Sequence, residues 1–385
     1  MSKDLSGKTS LFKRTMLLGV MLLPVLSSPQ ALRPDETGNF HRFNPSEIHI
    51  LLNPDLDIVY HTLAYFSVPG DPSNLYSKDY MDQIRQAKMD LEAAPTKLDA
   101  SAADLNTIYS QLPRLRFLNL APFMADDYAS FKQALALIDF NFRTEAVDST
   151  ETYEQRKARD ALAPLFFGNT RRLIPLLRNR FPDPAEHAFV KRFAECMDDE
   201  RDHFYKIYRE ARTEVDQAAL QRFQQFWASE GLKMISPIAA RTGVTVFNLY
   251  LCPVMQRNGR GVPVNQDQKV LFNVVIPLPE VKEQTLEAFF VALHETTHRL
   301  TDRIVDLASG IPEAEKPSAR ENASFYADHV YLKSRYPRHH LSYLKFFLNR
   351  RNSGAENKEG EAEFLRSYPL DSSVKASIEQ LLKEL

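Results

Sequence analysis

The 385-residue chain has little cysteine, no surplus of charge of either sign and, beyond residue 31, no long hydrophobic run. Its two cysteines are Cys196 and Cys252, and no C-x-x-C pair occurs, so a cysteine-ligated zinc centre is excluded. With 48 basic and 50 acidic residues the net charge is −2, and no basic patch stands out. The composition therefore argues against a nucleic-acid partner and against electrostatic binding to an anionic membrane.

Residues 1–31 carry the three regions of a secretory signal peptide. The apolar run Met16–Leu26 follows a basic region and is followed by small residues up to Ala31. This run contains Pro24 and is too short to span a membrane, and no cysteine follows it that could carry a lipid anchor. We therefore expect residues 1–31 to be removed during export to a bacterial periplasm or beyond, which leaves no stable membrane anchor.

Residues 32–235 are expected to form a helical N-terminal region. A strand-like run, Glu47–Leu52, is followed by Asn53-Pro54-Asp55, which offers a helix start. From there to about Glu230, apolar residues recur mostly at the spacings typical of helices. The helices predicted in this region are Tyr80–Ala93, Ala102–Leu112, Tyr128–Asp139, Thr152–Phe167, Asn169–Arg178 and Pro184–Ala228.

Glu200 and His203 form an E-x-x-H motif within this region, of the kind that di-iron helix bundles use twice. We find a single copy here, and the neighbouring residues Asp198, Asp199 and Asp202 are all charged. A solvent-exposed helix face explains such a cluster better than a metal site does. We therefore predict that Glu200 and His203 lie on the surface.

Two strand-like runs follow the helical region. Gly243–Leu251 and Val270–Ile276 are rich in β-branched and aromatic residues and are predicted to be strands. The segment between them, Gln256–Lys269, contains glycine, proline and asparagine, and is predicted to be the long loop of a hairpin. Asn248 and Asn273 within the strands could hold a substrate, although a solvent-facing position explains them better.

The two cysteines fall on different predicted elements, Cys196 on a helix and Cys252 beside a strand. In an exported protein the pair could form one disulfide. Two buried free thiols are an equally good explanation. The sequence leaves both alternatives open.

The strongest functional signal is an H-E-x-x-H motif formed by His294, Glu295 and His298. Neither proline nor glycine interrupts Glu283–Val305, and apolar residues recur there at helical spacing, so we predict one long helix with Thr285 as its cap. Histidines four residues apart share a helix face and can bind one metal ion. Glu295, one residue further round, would reach a water molecule on that metal and not the metal itself.

A third metal ligand is expected from the helix that follows. Pro317 suits the first turn of a helix that runs to a stop at Pro337, and turn residues occur in the connection Asp306–Lys316. If this helix folds back antiparallel, Glu321 would face the two histidines. Alternative ligands are Asp302, Asp328 and His329. Three protein ligands would leave one position on the metal open, as at a catalytic zinc site.

These residues resemble the gluzincins, metallopeptidases that combine H-E-x-x-H with a glutamate on the next helix. In aminopeptidases of this group the glutamate begins E-x-x-A-x-Y, which Ser324 and Tyr326 fit, but the G-A-M-E-N signature of those enzymes is absent. In thermolysin-like members it begins E-x-x-S-D, and here Phe325 replaces the aspartate that orients a zinc-bound histidine. Asp328 lies on the same helix face and could replace that aspartate. The resemblance covers Glu287–Pro337 and identifies the group but no family within it.

The resemblance implies an α+β, mostly helical fold, in which a zincin-like catalytic domain, residues 236–385, follows the helical N-terminal region. The implied ligands of a zinc ion are His294, His298 and Glu321. Glu295 would be the general base that activates water, and Tyr326 or His329 would stabilise the oxyanion. The expected activity is hydrolysis of a peptide or protein substrate, which would pair with the edge strand of the sheet.

Two alternatives to a peptidase remain open on the sequence. One is a non-enzymatic periplasmic binding or scaffold protein with a degenerate or structural zinc site. The intact Glu295 argues against it, because a structural site needs no base, whereas the missing thermolysin-type aspartate argues for it. The other is a zinc hydrolase that acts on a bond other than a peptide bond.

Overall fold

The computed structural model of the protein describes residues 47–66, 76, 78–125, 127–139, 170–255, 258–266, 269–351 and 360–385. The predicted signal peptide and the predicted helix Thr152–Phe167 lie outside these residues. Where the chain is described, it is mostly helical with a small four-stranded sheet, which confirms the α+β class. No helix in that part is both long enough and apolar enough to cross a membrane.

The N-terminal part consists of one strand and a series of helices. Its elements are β1 (Ile48–Leu51), α1 (Pro54–Ala64), α2 (Lys78–Asp90), α3 (Lys97–Gln111), α4 (Tyr128–Ala136), α5 (Thr170–Arg180), α6 (Pro184–Glu200), α7 (Lys206–Ala211), α8 (Thr213–Phe226) and α9 (Leu232–Arg241). Short 3₁₀ helices occupy Pro113–Asn119 and Ala121–Met124, and single π-helical turns occupy Arg201–Tyr205 and Trp227–Gly231. The predicted start of α1 is confirmed, since the Asn53 side chain accepts hydrogen bonds from the first backbone N–H groups.

The C-terminal part consists of three strands and five helices among the described residues. Its elements are β2 (Val246–Cys252), β3 (Arg260–Gln266), β4 (Lys269–Pro277), α10 (Gln284–Leu307), α11 (Lys316–Arg335), α12 (Pro337–Arg351), α13 (Glu361–Ser367) and α14 (Ser372–Lys383). Pro317 lies in the first turn of α11, as predicted. Thr285 does not cap α10 but lies buried inside its first turn, because the helix begins two residues earlier than a cap at Thr285 would place it.

The strands form one sheet in the order β1-β2-β4-β3, in which β3 alone is antiparallel to its neighbour. The predicted hairpin of β2 and β4 is therefore wrong: these strands are parallel, and β3 lies within the predicted loop. The composition of β3 explains the error. Gly261 and Pro263 are typical of loops, but a proline is tolerated on an edge strand because its missing N–H can face away from the ladder.

The sheet lies between two hydrophobic cores, because successive side chains on a strand point to opposite faces. On one face, residues such as Phe247 and Leu249 of β2 pack with α8 to α13. On the other face, Cys252 of β2, Val262 of β3 and Val275 of β4 pack with α1 to α7. The domain boundary near residue 235 remains a prediction, and β1 joins the sheet across it.

Helices α10 and α11 pack side by side and run antiparallel, as predicted. Hydrogen bonds between them join Thr297 to Asp328 (2.6 Å) and, further along α10, Thr301 to Ser324 (2.7 Å). All four side chains are buried. Because a buried polar group without a partner is costly, these pairs stabilise one register of the two helices over its neighbours.

Both cysteines are buried and carry free thiols, so the disulfide alternative is not the one found. Cys196 lies on α6 and Cys252 at the end of β2. Burial raises the pKa of each thiol above its ordinary value. Both side chains therefore stay protonated at neutral pH and pack as small apolar groups.

The surface position predicted for Glu200 is wrong, whereas His203 is exposed as predicted. Glu200 points inward from α6 and its carboxylate contacts His61 (2.9 Å), Lys88 (2.9 Å) and the hydroxyl of Thr96. Burial alone would raise the pKa of Glu200, but the hydrogen bond and charge of His61, together with Lys88, lower it to about 2. The ionised carboxylate thus links α6 to α1 and α2.

We predict that Glu200→Gln destabilises the protein by about 3 kcal/mol, because removing one partner of a buried ion pair leaves the other charge uncompensated. Urea unfolding at neutral pH measures this change. His203, the other member of the E-x-x-H motif, is exposed. His203→Ala is therefore expected to change the free energy of unfolding by no more than about 0.5 kcal/mol. Equal effects of the two substitutions would contradict the buried role of Glu200.

Candidate metal centre

Three side chains from two helices converge to form a candidate metal centre. His294 and His298 come from α10 and Glu321 from α11, and each offers one ligand atom within 4.8 Å of the other two. The two Nε2 atoms lie 3.2 Å apart, and the Glu321 carboxylate oxygens lie 3.4 Å from Nε2 of His294 and 3.3 Å from Nε2 of His298. The group could hold a metal ion, and it consists of the three residues predicted as ligands.

A carboxylate fixes the orientation of each imidazole. Asp328 contacts Nδ1 of His294 (3.3 Å), and Asp302 contacts Nδ1 of His298 (2.9 Å). An Nδ1–H that binds a carboxylate leaves Nε2 as the free acceptor, so both Nε2 lone pairs face the same point. Asp302 and Asp328 were alternative ligands on the sequence, but the structure places them behind the histidines.

Asp328 is itself held in place on both of its oxygen atoms. Thr297 donates a hydrogen bond to Oδ1 (2.6 Å), and Tyr343 of α12 donates one to Oδ2 (2.9 Å). The carboxylate is fully buried, so these donors replace the water it has lost. Asp328 therefore occupies the role that the sequence suggested for it in place of the aspartate missing at Phe325.

Aromatic rings pack against the His294 imidazole. Phe325 stacks on the imidazole with centroids 4.2 Å apart, and Phe347 lies 5.6 Å away. Tyr368 packs on Phe325 in turn, at 4.0 Å. This packing restricts rotation of the imidazole. Phe325 thus holds His294 by ring stacking at the position where a thermolysin-like enzyme has an aspartate.

The charges of the centre are mutually dependent. Burial alone would lower the pKa of His294 and His298, but the neighbouring carboxylates outweigh burial and raise both pKa values above the ordinary range. Burial would raise the pKa of Glu321, but the two histidines outweigh it and lower the pKa well below its usual value. The pocket thus favours positive charge between the imidazoles and the carboxylate, which is what a bound cation would supply.

Glu295 lies beside the centre and contacts the edge strand β3. A Cβ atom added to Gly259 would lie 2.9 Å from Cγ of Glu295 and 2.7 Å from Val291, and one added to Gly261 would lie 3.4 Å from Cβ of Glu295. Only glycine allows β3 to come this close to α10. Among the described residues, none forms a hydrogen bond or ion pair with the Glu295 carboxylate, and this side chain is half-buried.

The two residues suggested as oxyanion stabilisers are engaged elsewhere. Tyr326 donates a hydrogen bond to Glu379 of α14 (2.6 Å). His329 contacts His340 of α12 (2.8 Å) and Glu361 of α13 (3.3 Å). Neither side chain belongs to the three-residue group, and His329 is not a ligand in this geometry.

Asn248 and Asn273 lie on the sheet face opposite α10, where the amide of Asn248 donates a hydrogen bond to Asn273 (2.8 Å). Together with Asp55 and Phe123 they line a cleft of about 270 Å³ that contains no residue of the metal centre. Asn273 is buried, so the solvent-facing position favoured for it is wrong. The cleft therefore lies on the other side of the sheet from the candidate metal centre, and neither asparagine contacts that centre.

Three residues around the centre were missed or misjudged on the sequence. Asp302 follows His298 by one helical turn, and that spacing could have identified it as the partner of Nδ1. Tyr343 gave no such signal, because it comes from α12 and meets Asp328 only through tertiary packing. Arg299 directly follows His298 in the chain, but the H-E-x-x-H motif assigns no role to its position. Its guanidinium lies over the Phe272 ring at 5.9 Å.

Comparison of the chain with models of protein families, with curated proteins and with solved structures finds no match. What the centre can do follows from its own side chains. Two imidazole nitrogens and a carboxylate that face one point can bind a metal ion, and Glu295 directly follows the first of these histidines on α10.

We predict that His329 makes the stability of the protein depend on pH. Burial and the neighbouring His340 lower its pKa from 6.5 to about 4, against the opposing charge of Glu361. Because the folded pKa lies below the unfolded one, the stability that neutral His329 contributes is complete above pH 6.5 and is lost as pH falls toward 4. His329→Phe, which cannot titrate, should lose less stability than the wild type over that range.

Urea unfolding of both proteins near pH 7 and near pH 4.5 measures the difference. Glu361 and His340 contact His329, and Lys333 forms an ion pair with Glu361. All three residues are present in both proteins, so their own contributions largely cancel in the comparison. His203→Ala, a change at an exposed histidine far along the chain from His329, serves as the matched control. Identical pH profiles for wild type and His329→Phe would show the prediction to be wrong.

Proposed function

We propose that the protein is a zinc-dependent hydrolase that cleaves peptide bonds, with a fold and centre of the gluzincin type. The observation that carries the proposal is the combination of three convergent side chains with Glu295, whose carboxylate has no ion-pair or hydrogen-bond partner among the described residues. Structural zinc sites use four protein ligands, whereas catalytic sites use three and keep one position open. Glu295 would have no purpose at a structural site.

Zinc fits the donor set of this centre better than a hard cation does. Two neutral imidazoles and one carboxylate form the His₂Glu combination of catalytic zinc sites, whereas calcium and magnesium prefer oxygen ligands. Both imidazoles have a carboxylate on Nδ1, which is the usual arrangement around zinc-bound histidine. The sequence lacks the thermolysin-type aspartate, but this absence is no longer an argument for a degenerate site. Asp328 makes the corresponding contact with His294.

The chain's own residues would carry the proton transfers of hydrolysis. Zinc, when bound, makes a water molecule more acidic and polarises the carbonyl group of the substrate. Glu295 accepts a proton from the attacking water and then delivers it to the leaving amine. Asp328 and Asp302 hold the imidazoles so that both Nε2 atoms remain directed at one point throughout.

A peptide is the substrate that the neighbouring strand favours. Strand β3 is an edge strand, and Gly259 and Gly261 bring its backbone to Glu295 without any intervening side chain. Pro263 has no N–H to donate to β4, so its backbone nitrogen and carbonyl group face the free edge. Because this direction alternates along a strand, the N–H and C=O groups of Gly261 face the same edge. An extended substrate would pair with these groups and place a peptide bond beside Glu295.

The proposal includes export, because residues 1–31 have the pattern of a signal peptide. The mature protein would then work in a periplasm or outside the cell. N-terminal sequencing of protein recovered from its native compartment tests this point. An intact Met1 in soluble cytoplasmic protein would count against export without affecting the catalytic proposal.

We predict that the purified protein binds close to one zinc ion per chain and that His294→Ala abolishes binding. Asp328→Asn should weaken zinc affinity by about 10- to 100-fold, because it disturbs the partner of a ligand and not a ligand itself. Metal analysis and competition with a chelator measure both effects. Glu379→Gln is the matched control, since its carboxylate binds Tyr326 away from the centre. Absence of zinc from wild-type protein after zinc is added back would refute the metal site.

Glu295→Gln is expected to keep zinc and fold but to lose nearly all hydrolysis, since a general base contributes roughly 10²- to 10⁴-fold. A digest of a peptide library, read by mass spectrometry, identifies a substrate and measures the loss. Glu287→Gln changes an exposed glutamate two turns earlier on α10 and should retain activity. Wild-type rates for Glu295→Gln would overturn the mechanism, and zinc binding without cleavage by either form would favour a binding protein.

A further inference from the structure

Arg299 is a largely buried cation without an ion-pair or hydrogen-bond partner in the described part of the chain. It follows the ligand His298 directly on α10, and only a minor part of its surface reaches solvent. Its Nε atom is shielded from solvent and has no hydrogen-bond acceptor. No carboxylate oxygen of a described residue lies within 4.0 Å of a guanidinium nitrogen of Arg299. The charge of Asp302 acts on Arg299 from a greater distance.

The position of Arg299 relates it directly to Glu295. Val291, Glu295 and Arg299 are spaced four residues apart and therefore form one stripe along α10. The first two of them contact the glycines of β3, and Arg299 lies over the ring of Phe272 in the adjoining strand. Phe272 is paired with Pro263, so the stripe follows β3 in the direction of its chain. Arg299 lies about 6 Å beyond Glu295 along the helix axis.

Leaving a guanidinium in this position without a partner is unfavourable. A charged group that loses water needs a compensating charge or hydrogen bonds, and an unpaired buried charge is among the most costly features of a folded chain. Asp302 is the nearest acidic residue on the helix, but one of its oxygens already binds His298. Glu295 is one turn away and forms no ion pair with Arg299. Both groups therefore remain available to a molecule that lies along β3.

We propose that Arg299 binds a carboxylate group of the substrate, about two residues beyond the bond that Glu295 acts on. This inference rests on the proposed function. A planar guanidinium with several donors suits a carboxylate better than any other group of a peptide. The carboxylate has two sources, the free C-terminus of a peptide or the side chain of an acidic residue. We take the substrate to run parallel to β3, which brings its C-terminal side to Arg299. The substrate class is accordingly a peptide with a negative charge on the C-terminal side of the scissile bond.

Three peptides of one sequence separate these sources. The first has a free C-terminal carboxylate, the second has a C-terminal amide and no acidic residue, and the third has the amide with one glutamate after the scissile bond. Wild-type protein should show a KM about 10- to 100-fold lower for a peptide that carries the recognised carboxylate than for the neutral one. The preferred peptide identifies the source, and equal KM values for all three would overturn the proposal.

Substitution of Arg299 tests whether this residue is responsible. Arg299→Met should raise KM for the charged peptide to the value of the neutral one while leaving the neutral peptide unchanged, and Arg299→Lys should restore part of the difference. Arg303→Met is the control, because Arg303 lies on the same helix but is exposed. A packing role against Phe272, or a role in stabilising the oxyanion, would impair all peptides alike, and that result would overturn the proposal.

Binding to zinc-loaded Glu295→Gln protein distinguishes failure of this inference from failure of the proposed function. Calorimetry with the charged and neutral peptides measures affinity without turnover. Carboxylate-dependent binding that disappears when Arg299→Met is added, with no cleavage by the wild type, would uphold the carboxylate site and overturn hydrolysis. Cleavage of all peptides without dependence on Arg299 would uphold hydrolysis and overturn the carboxylate site.

Discussion

The antiparallel packing of α10 against α11 is the interaction on which the rest of the centre depends. It brings Glu321 to the two histidines, and it buries Asp328 where it can hold one of them. The buried pair of Thr301 and Ser324 specifies the register, because a shift of either helix would leave hydroxyl groups without partners. A metal centre of this kind needs no loop to position its ligands, since rigid elements carry all three.

The helix pair and the convergence of His294, His298 and Glu321 could be predicted from the sequence because the information is local. Two histidines four residues apart share a helix face whatever surrounds them, and Pro317 marks the start of the next helix. One further assumption, that this helix folds back, was enough to select Glu321. The α+β class followed equally from runs of β-branched residues beside helical periodicity.

The features that sequence reasoning missed depend on contacts between distant segments. Nothing near Glu200 shows that His61 and Lys88 from two other helices meet its carboxylate, so its charged neighbours indicated a surface. Strand β3 has a loop composition, and only pairing with β4 makes it a strand. Parallel pairing of β2 with β4 leaves no signature in either strand, since both are buried runs of the kind that fit several topologies.

The proline in β3 has a consequence for how the protein behaves in solution. An edge strand offers a row of backbone donors and acceptors that another chain can join, which is a common route to aggregation. Pro263 removes a donor from the middle of that row, so a second copy of the chain cannot pair along the full length of β3. A short extended segment that ends near Gly261 meets no such gap. The same residue thus protects the protein against self-association while leaving the part of the edge beside Glu295 open.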